Sequence, residues 1–198
     1  MSKWTNKRVG ILALQGDYAC HQRMLERLSV SSVLVRLEKD LARLDALIVP
    51  GGESTTMDIV MDRFNLREPL IAFGRSKPVF GTCAGMIMLA SEIENNISNV
   101  TPLALMDIGV DRNGYGRQVH SFEAEIEADL AGEQCELIAT FIRAPRVTRV
   151  GPDVTVLADY ENDPVLVRQE NLLAASFHTE LEDDTRLLAY FLNEVCYS

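Results

Sequence analysis

Cys83 stands in Gly81-Thr82-Cys83-Ala84-Gly85, between the apolar run Pro78–Phe80 and a helical stretch. This is the cysteine form of the G-x-S-x-G nucleophile elbow. A sharp strand-to-helix turn strains the nucleophile's backbone, so its neighbours must be small. Gly81, Ala84 and Gly85 meet that demand. The helix N-terminus places partial positive charge beside the sulfur and favours a thiolate. The next backbone amide, from Ala84, points to where an oxyanion would form. The competing reading is a buried structural cysteine in a tight turn.

A nucleophile needs a proton-transfer partner, and three histidines are available. His21 falls within the first predicted helix and reads as a surface or packing residue. His120 lies in the polar stretch Gly116–Ser121. His178 follows the apolar run Leu172–Phe177, at a strand end. Reactive groups of open α/β sheets gather at the carboxyl ends of strands. Cys83 and His178 both occupy that kind of position. Glu180 is two residues beyond His178, and in extended backbone i and i+2 face the same way. Glu180 is therefore placed to orient the imidazole in a Cys-His-acid triad. The Gly51-Gly52-Glu53-Ser54-Thr55 segment follows another apolar run, and its paired glycines allow backbone amides close to a ligand. Gly52 is a second oxyanion donor on this reading. A phosphate loop is the rival, but the spacing fits neither a Walker A loop nor G-x-G-x-x-G.

These groups need elements to position them. Val9–Leu14, Ser32–Val35, Ala46–Val49 and Pro78–Phe80 read as short buried strands. A helix capped near Asp17 follows, with Met24, Leu25 and Leu28 at helical spacing. A second helix capped by Ser54 or Thr55 runs to Phe64, a third covers Leu66–Arg75, and Met86–Ser91 follows Cys83. Alternating strands and helices predict a parallel sheet covered on both faces. Phe122–Ile126, Leu137–Ile142, Val154–Ala158 and Val165–Phe177 are strand-rich, with turns at Gly151-Pro152 and Asn162–Pro164. They predict antiparallel additions. Asp184 caps a last helix lined by Leu187, Leu188, Phe191, Leu192 and Val195, and Asn95–Pro102 reads as an irregular loop. The expected fold class is α/β, a three-layer open sheet, mostly parallel with antiparallel additions. One domain over 1–198 is the simplest organisation.

Composition narrows the function. The chain of 198 residues is 47% hydrophobic and 24% charged, with formal net charge −10. That balance argues against a nucleic-acid binder, which needs a basic stripe. The cysteines at 20, 83, 135 and 196 show no CxxC pair and no zinc spacing. Free thiols suit a reducing compartment. The N-terminus does not read as a signal peptide, and no stretch approaches the roughly 20 apolar residues of a membrane span. The expected location is the cytoplasm, with no metal and no membrane partner.

Taken together, the elbow and the late His-x-Glu resemble triad glutamine amidotransferases. Leu12–Gly16, Pro50–Met57, Phe80–Gly85, Asp111–Gln118, Ser121–Glu123 and Phe141–Pro145 are similar to the glutaminase subunits of pyridoxal 5′-phosphate synthases. The similarity runs from about Val9 to the last helix. It implies a flavodoxin-like glutamine amidotransferase fold and hydrolysis of L-glutamine to glutamate and ammonia through a glutamyl thioester. Cys83, His178 and Glu180 would be catalytic, and the Gly52 and Ala84 amides would form the oxyanion hole. Gly51, Gly52, Glu53, Arg112, Ile142 and Arg143 would bind glutamine, with Gln15 close by. An arginine suits the substrate's α-carboxylate, but which one is left open.

The resemblance also implies a (β/α)8 barrel synthase as partner, poor activity without it, and no cofactor for hydrolysis, pyridoxal phosphate being the product of the complex. The family usually has proline between the histidine and the glutamate; here Thr179 stands there. Three alternatives remain open. One is a glutaminase for another synthase, such as that of histidine biosynthesis. Another is a non-catalytic regulatory subunit, and the third is a peptidase or hydrolase active without a partner.

Overall fold

The computed structural model describes residues 4, 7–112, 114 and 121–196. His120 and most of the Asn113–Gln118 stretch therefore lie outside the described residues. β1 (Arg8–Leu12), β2 (Ser31–Val35), β3 (Ala46–Val49), β4 (Val79–Thr82) and β12 (Leu172–Ala175) pair in parallel, in the order β2-β1-β3-β4-β12. β11 (Asp163–Gln169), β10 (Thr155–Tyr160), β7 (Ser121–Leu130) and β8 (Glu133–Ile142) extend the sheet antiparallel, giving nine strands. This is the expected mixed α/β sheet.

Both faces of β1, β3, β4 and β12 are buried, which is why they read as continuous apolar runs, while the edge strand β2 is only partly covered. Leu47 and Val49 of β3 join one hydrophobic cluster with Met57, Met61, Leu70 and Met88. Ala46 and Ile48 point the other way, into a cluster with Met24, Leu25, Leu188 and Phe191. So α2 (Ser54–Arg63), α3 (Arg67–Gly74) and α4 (Ala84–Leu89) contribute to one side, and α1 (Tyr18–Arg27) and α5 (Arg186–Tyr190) to the other. The last helix continues in wider turns through Phe191–Val195.

Three local expectations are corrected. α2 is capped by Glu53, whose Oε2 accepts from Thr56 N at 2.8 Å, and not by Ser54 or Thr55. Asp17 holds the N-cap position of α1 without capping it through its side chain, which lines the cavity described below. Thr185 is the N-cap of α5, although Asp184 Oδ1 still accepts from Arg186 N at 2.9 Å. In addition, α4 stops at Leu89, and β5 (Ala90–Glu94) begins a separate sheet with β6 (Met106–Asp111) and β9 (Arg146–Val150). This second sheet was not expected. Residues 95–105 between β5 and β6 are irregular, as the sequence suggests.

The elbow depends on close packing of α4 against β3. A Cβ on Gly85 would lie 2.0 Å from the Val49 carbonyl oxygen, a backbone atom that cannot rotate away. We expect Gly85→Ala to destabilise the protein by about 3 kcal/mol, the upper end of overpacking costs. In a chain this size that lowers Tm by roughly 6–12 °C, measurable by thermal circular dichroism. An unchanged Tm would show that the two elements can move apart freely.

Candidate active site

Cys83 follows β4 directly and heads α4. Its φ of 48° and ψ of −105° are the strained values that an elbow requires. Such a conformation costs about 1–3 kcal/mol and persists only where surroundings enforce it. Here the Cys83 amide donates to Ala175 O of β12 at 2.8 Å, and the residue is 5% exposed. Its Sγ lies 3.8 Å from the Ile142 carbonyl at the end of β8. Ala84, the first residue of α4, is buried behind it.

His178 lies just past the end of β12. Its backbone amide donates to Thr140 O of β8 at 2.8 Å, closing a single antiparallel bridge. That bridge anchors the backbone one residue before the position where the family usually has proline, and Thr179 is buried beside it. His178 Nδ1 sits 2.7 Å from Glu180 Oε1. Both side chains are almost fully buried. Burial alone would push the imidazole's pKa down. Hydrogen bonds and charge from Cys83 and Glu180 outweigh it and push His178 up to about 10. Glu180 is held below the usual carboxylate range: burial opposes ionisation, but the two histidines His21 and His178 prevail.

The loop after β3 faces this pair. A Cβ on Gly51 would lie 2.4 Å from His178 Cε1, so only glycine permits the approach. Gly52 has φ of +145°, and its Cα packs against the Gln15 carboxamide. Gln15 Oε1 accepts from Glu53 N at 3.0 Å, so the end of β1 braces the loop. Glu53 Oε1 in turn lies 3.2 Å from Arg112 Nη2, which also donates to Thr55 Oγ1 at 3.0 Å. Hydrogen bonds from Thr56 and Thr55 keep Glu53 below its ordinary pKa despite partial burial.

A cavity of about 200 Å³ opens over these groups. Asp17, Gly52, Glu53, Ser54, Cys83, Ile87, Arg112, Ile142, Arg143 and His178 line it. The structure thus gathers nearly every residue singled out in the sequence, with Gly51, Ala84, Gln15 and Glu180 immediately behind. Arg143 reaches the cavity from a left-handed backbone, φ 45°. Chemically, the arrangement offers a sulfur nucleophile, a charged imidazole held by a carboxylate, and arginines for an anionic substrate group.

Two residues escaped the sequence reading. Asp17 reaches the cavity, and its carboxylate lies within 4.8 Å of donor atoms of His178 and Glu180. His21, expected on a surface or in packing, is buried with Nε2 3.5 Å from Glu180 Oε2 and 3.2 Å from Thr82 Oγ1. The helical stripe could have shown this, since His21 sits three and four residues before Met24 and Leu25.

The model of the SNO glutamine amidotransferase family matches residues 11–197. The chain is 46% identical over 192 residues to pyridoxal 5′-phosphate synthase subunit PdxT of Carboxydothermus hydrogenoformans, covering 96% of this chain and 98% of that one. It is 50% identical to the subunit of the same name from Desulforudis audaxviator, covering 95% and 98%. A crystal structure described as a glutamine amidotransferase superposes with TM-score 0.88 at 44% identity, covering 95% of this chain and 98% of the other. A solved structure of PurLQS from Thermotoga maritima shares the fold at 16% identity and TM-score 0.70, covering 94% of this chain and 98% of the other.

Proposed function

The chain belongs to the SNO glutamine amidotransferase family, and from that premise we propose that it is the glutaminase subunit of a pyridoxal 5′-phosphate synthase. It hydrolyses L-glutamine and passes the ammonia to a synthase subunit that builds the pyridoxal ring. The observation that carries the site assignment is the convergence of Cys83, His178 and Glu180 on one cavity lined by Gly52, Glu53, Arg112, Ile142 and Arg143.

Cys83 as thiolate attacks the side-chain amide carbon of glutamine. Negative charge gathers on the carbonyl oxygen, where the Gly52 and Ala84 amides stabilise it. His178 enters protonated, because its pKa is raised. It donates that proton to the departing nitrogen as the C–N bond breaks, so ammonia leaves and a glutamyl thioester remains. Neutral His178 then takes a proton from water, the hydroxide adds to the thioester, and the thiolate departs with glutamate. Glutamine and water have become glutamate and ammonia, and His178 is again an imidazolium. Glu180 keeps its charge throughout and orients the ring.

This assignment of His178 fixes a pH dependence. A raised pKa means the proton is held through neutral pH and lost as pH rises through about 10. We expect kcat/KM for glutamine to fall on that limb, measured as glutamate release by the assembled complex. A limb unmoved by Glu180→Gln would assign it to another group.

Arg112 is the arginine assigned to the substrate α-carboxylate, because Glu53 and Thr55 already fix one of its nitrogens. Arg112→Gln should raise KM about tenfold or more with kcat within about threefold, the loss of one charge-assisted pair. A larger loss in kcat than in KM would move Arg112 from binding to chemistry.

The partner is proposed to be a (β/α)8 barrel, and the site of action the cytoplasm. No helix of the described residues is long and apolar enough to cross a membrane. Glutamine hydrolysis on this reading needs no metal or cofactor. The test is a reconstitution. The purified chain is mixed with the barrel synthase, glutamine, a pentose phosphate and a triose phosphate, and both glutamate and pyridoxal phosphate are followed. Glutamine-dependent pyridoxal phosphate is expected only with both subunits. Glutamate released only with a histidine-pathway synthase would reassign the chain.

A further inference from the structure

We propose that His21 is a positioning residue for hydrolysis, a neutral hydrogen-bond donor that holds the far oxygen of Glu180 and ties it to Thr82, the last residue of the strand that leads into Cys83. The proposal rests on the reading of Cys83, His178 and Glu180 as the reacting triad.

Glu180 uses one carboxylate oxygen on His178, at 2.7 Å. The other, Oε2, is fully buried and has no conventional hydrogen bond among the described residues. His21 Nε2, from α1, lies 3.5 Å from it. The same nitrogen lies 3.2 Å from the hydroxyl of Thr82, the residue before Cys83. Both side chains are excluded from solvent. A carboxylate can only accept, so on this proposal the proton is on Nε2, and that one N–H is shared between Glu180 Oε2 and Thr82 Oγ1. The other tautomer would aim a lone pair at a buried anion, leaving Oε2 with no donor at all. Burial keeps His21 below its ordinary pKa, and the nearby His178 works in the same direction. Glu180 and Asp17 oppose that without prevailing. A neutral His21 matters. A second imidazolium would compete with His178 for the single charge of Glu180 and weaken the hold on the catalytic proton.

A histidine that merely fills the core behaves oppositely from one that donates. Leucine nearly matches its volume and suits an apolar site, whereas glutamine places an amide N–H near the former Nε2. Steady-state glutaminase kinetics of the assembled complex separate the two. His21→Leu is expected to lower kcat about ten- to a hundredfold with KM within about twofold, the consequence of orphaning a buried acceptor. His21→Gln is expected to recover most of that loss. Ring ¹⁵N shifts of the unsubstituted protein should show His21 neutral and protonated on Nε2 at pH 7, a readout that stands even if the leucine variant fails to fold. Full kcat in His21→Leu, no recovery in His21→Gln, or a proton on Nδ1 would each overturn the proposal. Glu180→Gln and His178→Ala run in parallel. If those two turn over normally, the triad reading itself is wrong. If they are inactive while His21→Leu is unaffected, only the role of His21 fails.

Discussion

Cys83→Ala is expected to lower glutamine hydrolysis by the assembled complex more than about 10⁴-fold, while the chain still folds and still docks on its synthase. Removing the nucleophile of a triad costs on the order of 10⁶ in kcat in the best-measured case, and what survives comes from binding and the oxyanion hole alone. The fold should tolerate the change. Cys83 is buried, and alanine carries the same Cβ into the same left-handed backbone, so the elbow's strain is nearly unaltered. Beyond its hydrogen bond to His178, the sulfur makes one weak polar contact, to the Ile142 carbonyl at 3.8 Å. Glutamate release, thermal circular dichroism and co-migration with the synthase check the three parts. Activity within tenfold of the unsubstituted protein would remove Cys83 from the chemistry. The same variant has a second consequence. Part of what raises His178 is its hydrogen bond to Cys83, so the imidazole should titrate at lower pH in Cys83→Ala, a shift visible in its ring ¹⁵N resonances.

The parallel half of the sheet was legible because burial on both faces writes itself as uninterrupted apolar runs. Ala46–Val49 is both the predicted and the observed span of β3, stopped by Pro50 and two glycines. The second sheet was hidden for a physical reason. β9 reads Arg146-Val147-Thr148-Arg149-Val150, with both arginines exposed, and β5 exposes Ser91, Glu92 and Glu94. Neither has the run that marks a central strand. Their partners are distant in sequence, as when Gly109 pairs with Arg149. β5 also follows α4 with no glycine or proline between them, so the helical reading ran on to Ser91. Caps failed on a similar ground. Glu53 caps α2 in place of Ser54 or Thr55 because Arg112 holds its carboxylate over the helix start, within reach of the Thr56 amide.

The site was legible wherever a chemically able residue sat at a strand end. Cys83 and His178 sit just past β4 and β12, and those two strands are neighbours in the sheet. Adjacent parallel strands deliver their carboxyl ends side by side, so two distant positions in the chain come to line one cavity. His21 carried no such marker. It lies within a helix, and its meaning depends on which face of α1 meets the sheet. Its spacing to Met24 and Leu25 marks it as buried, but which groups its ring meets, Glu180 and Thr82, follows only from the packing of that helix.

Glu180→Gln tests how much of the reaction depends on holding the proton in place. Glutamine matches the shape of glutamate, yet it reverses the chemistry at His178 Nδ1. A carboxylate accepts from Nδ1, whereas an amide can turn its N–H₂ toward the ring and force the proton to the other nitrogen. The comparable change in a serine triad lowers kcat about 10⁴-fold through the wrong tautomer. A further loss applies here. Glu180 helps to push His178 up to about 10, and without that charge burial pulls the imidazole down. The proton that should reach the leaving nitrogen is then absent over much of the neutral range. We expect kcat to fall about 10³- to 10⁴-fold, with the remaining activity losing its alkaline limb near pH 10 to one at lower pH. KM should change little, because Glu180 lies behind His178 and does not line the cavity. Glutamate release across pH 6–11 by the complex measures both effects. A residual rate whose pH limb stays near 10 would mean that Glu180 does not control the proton on His178.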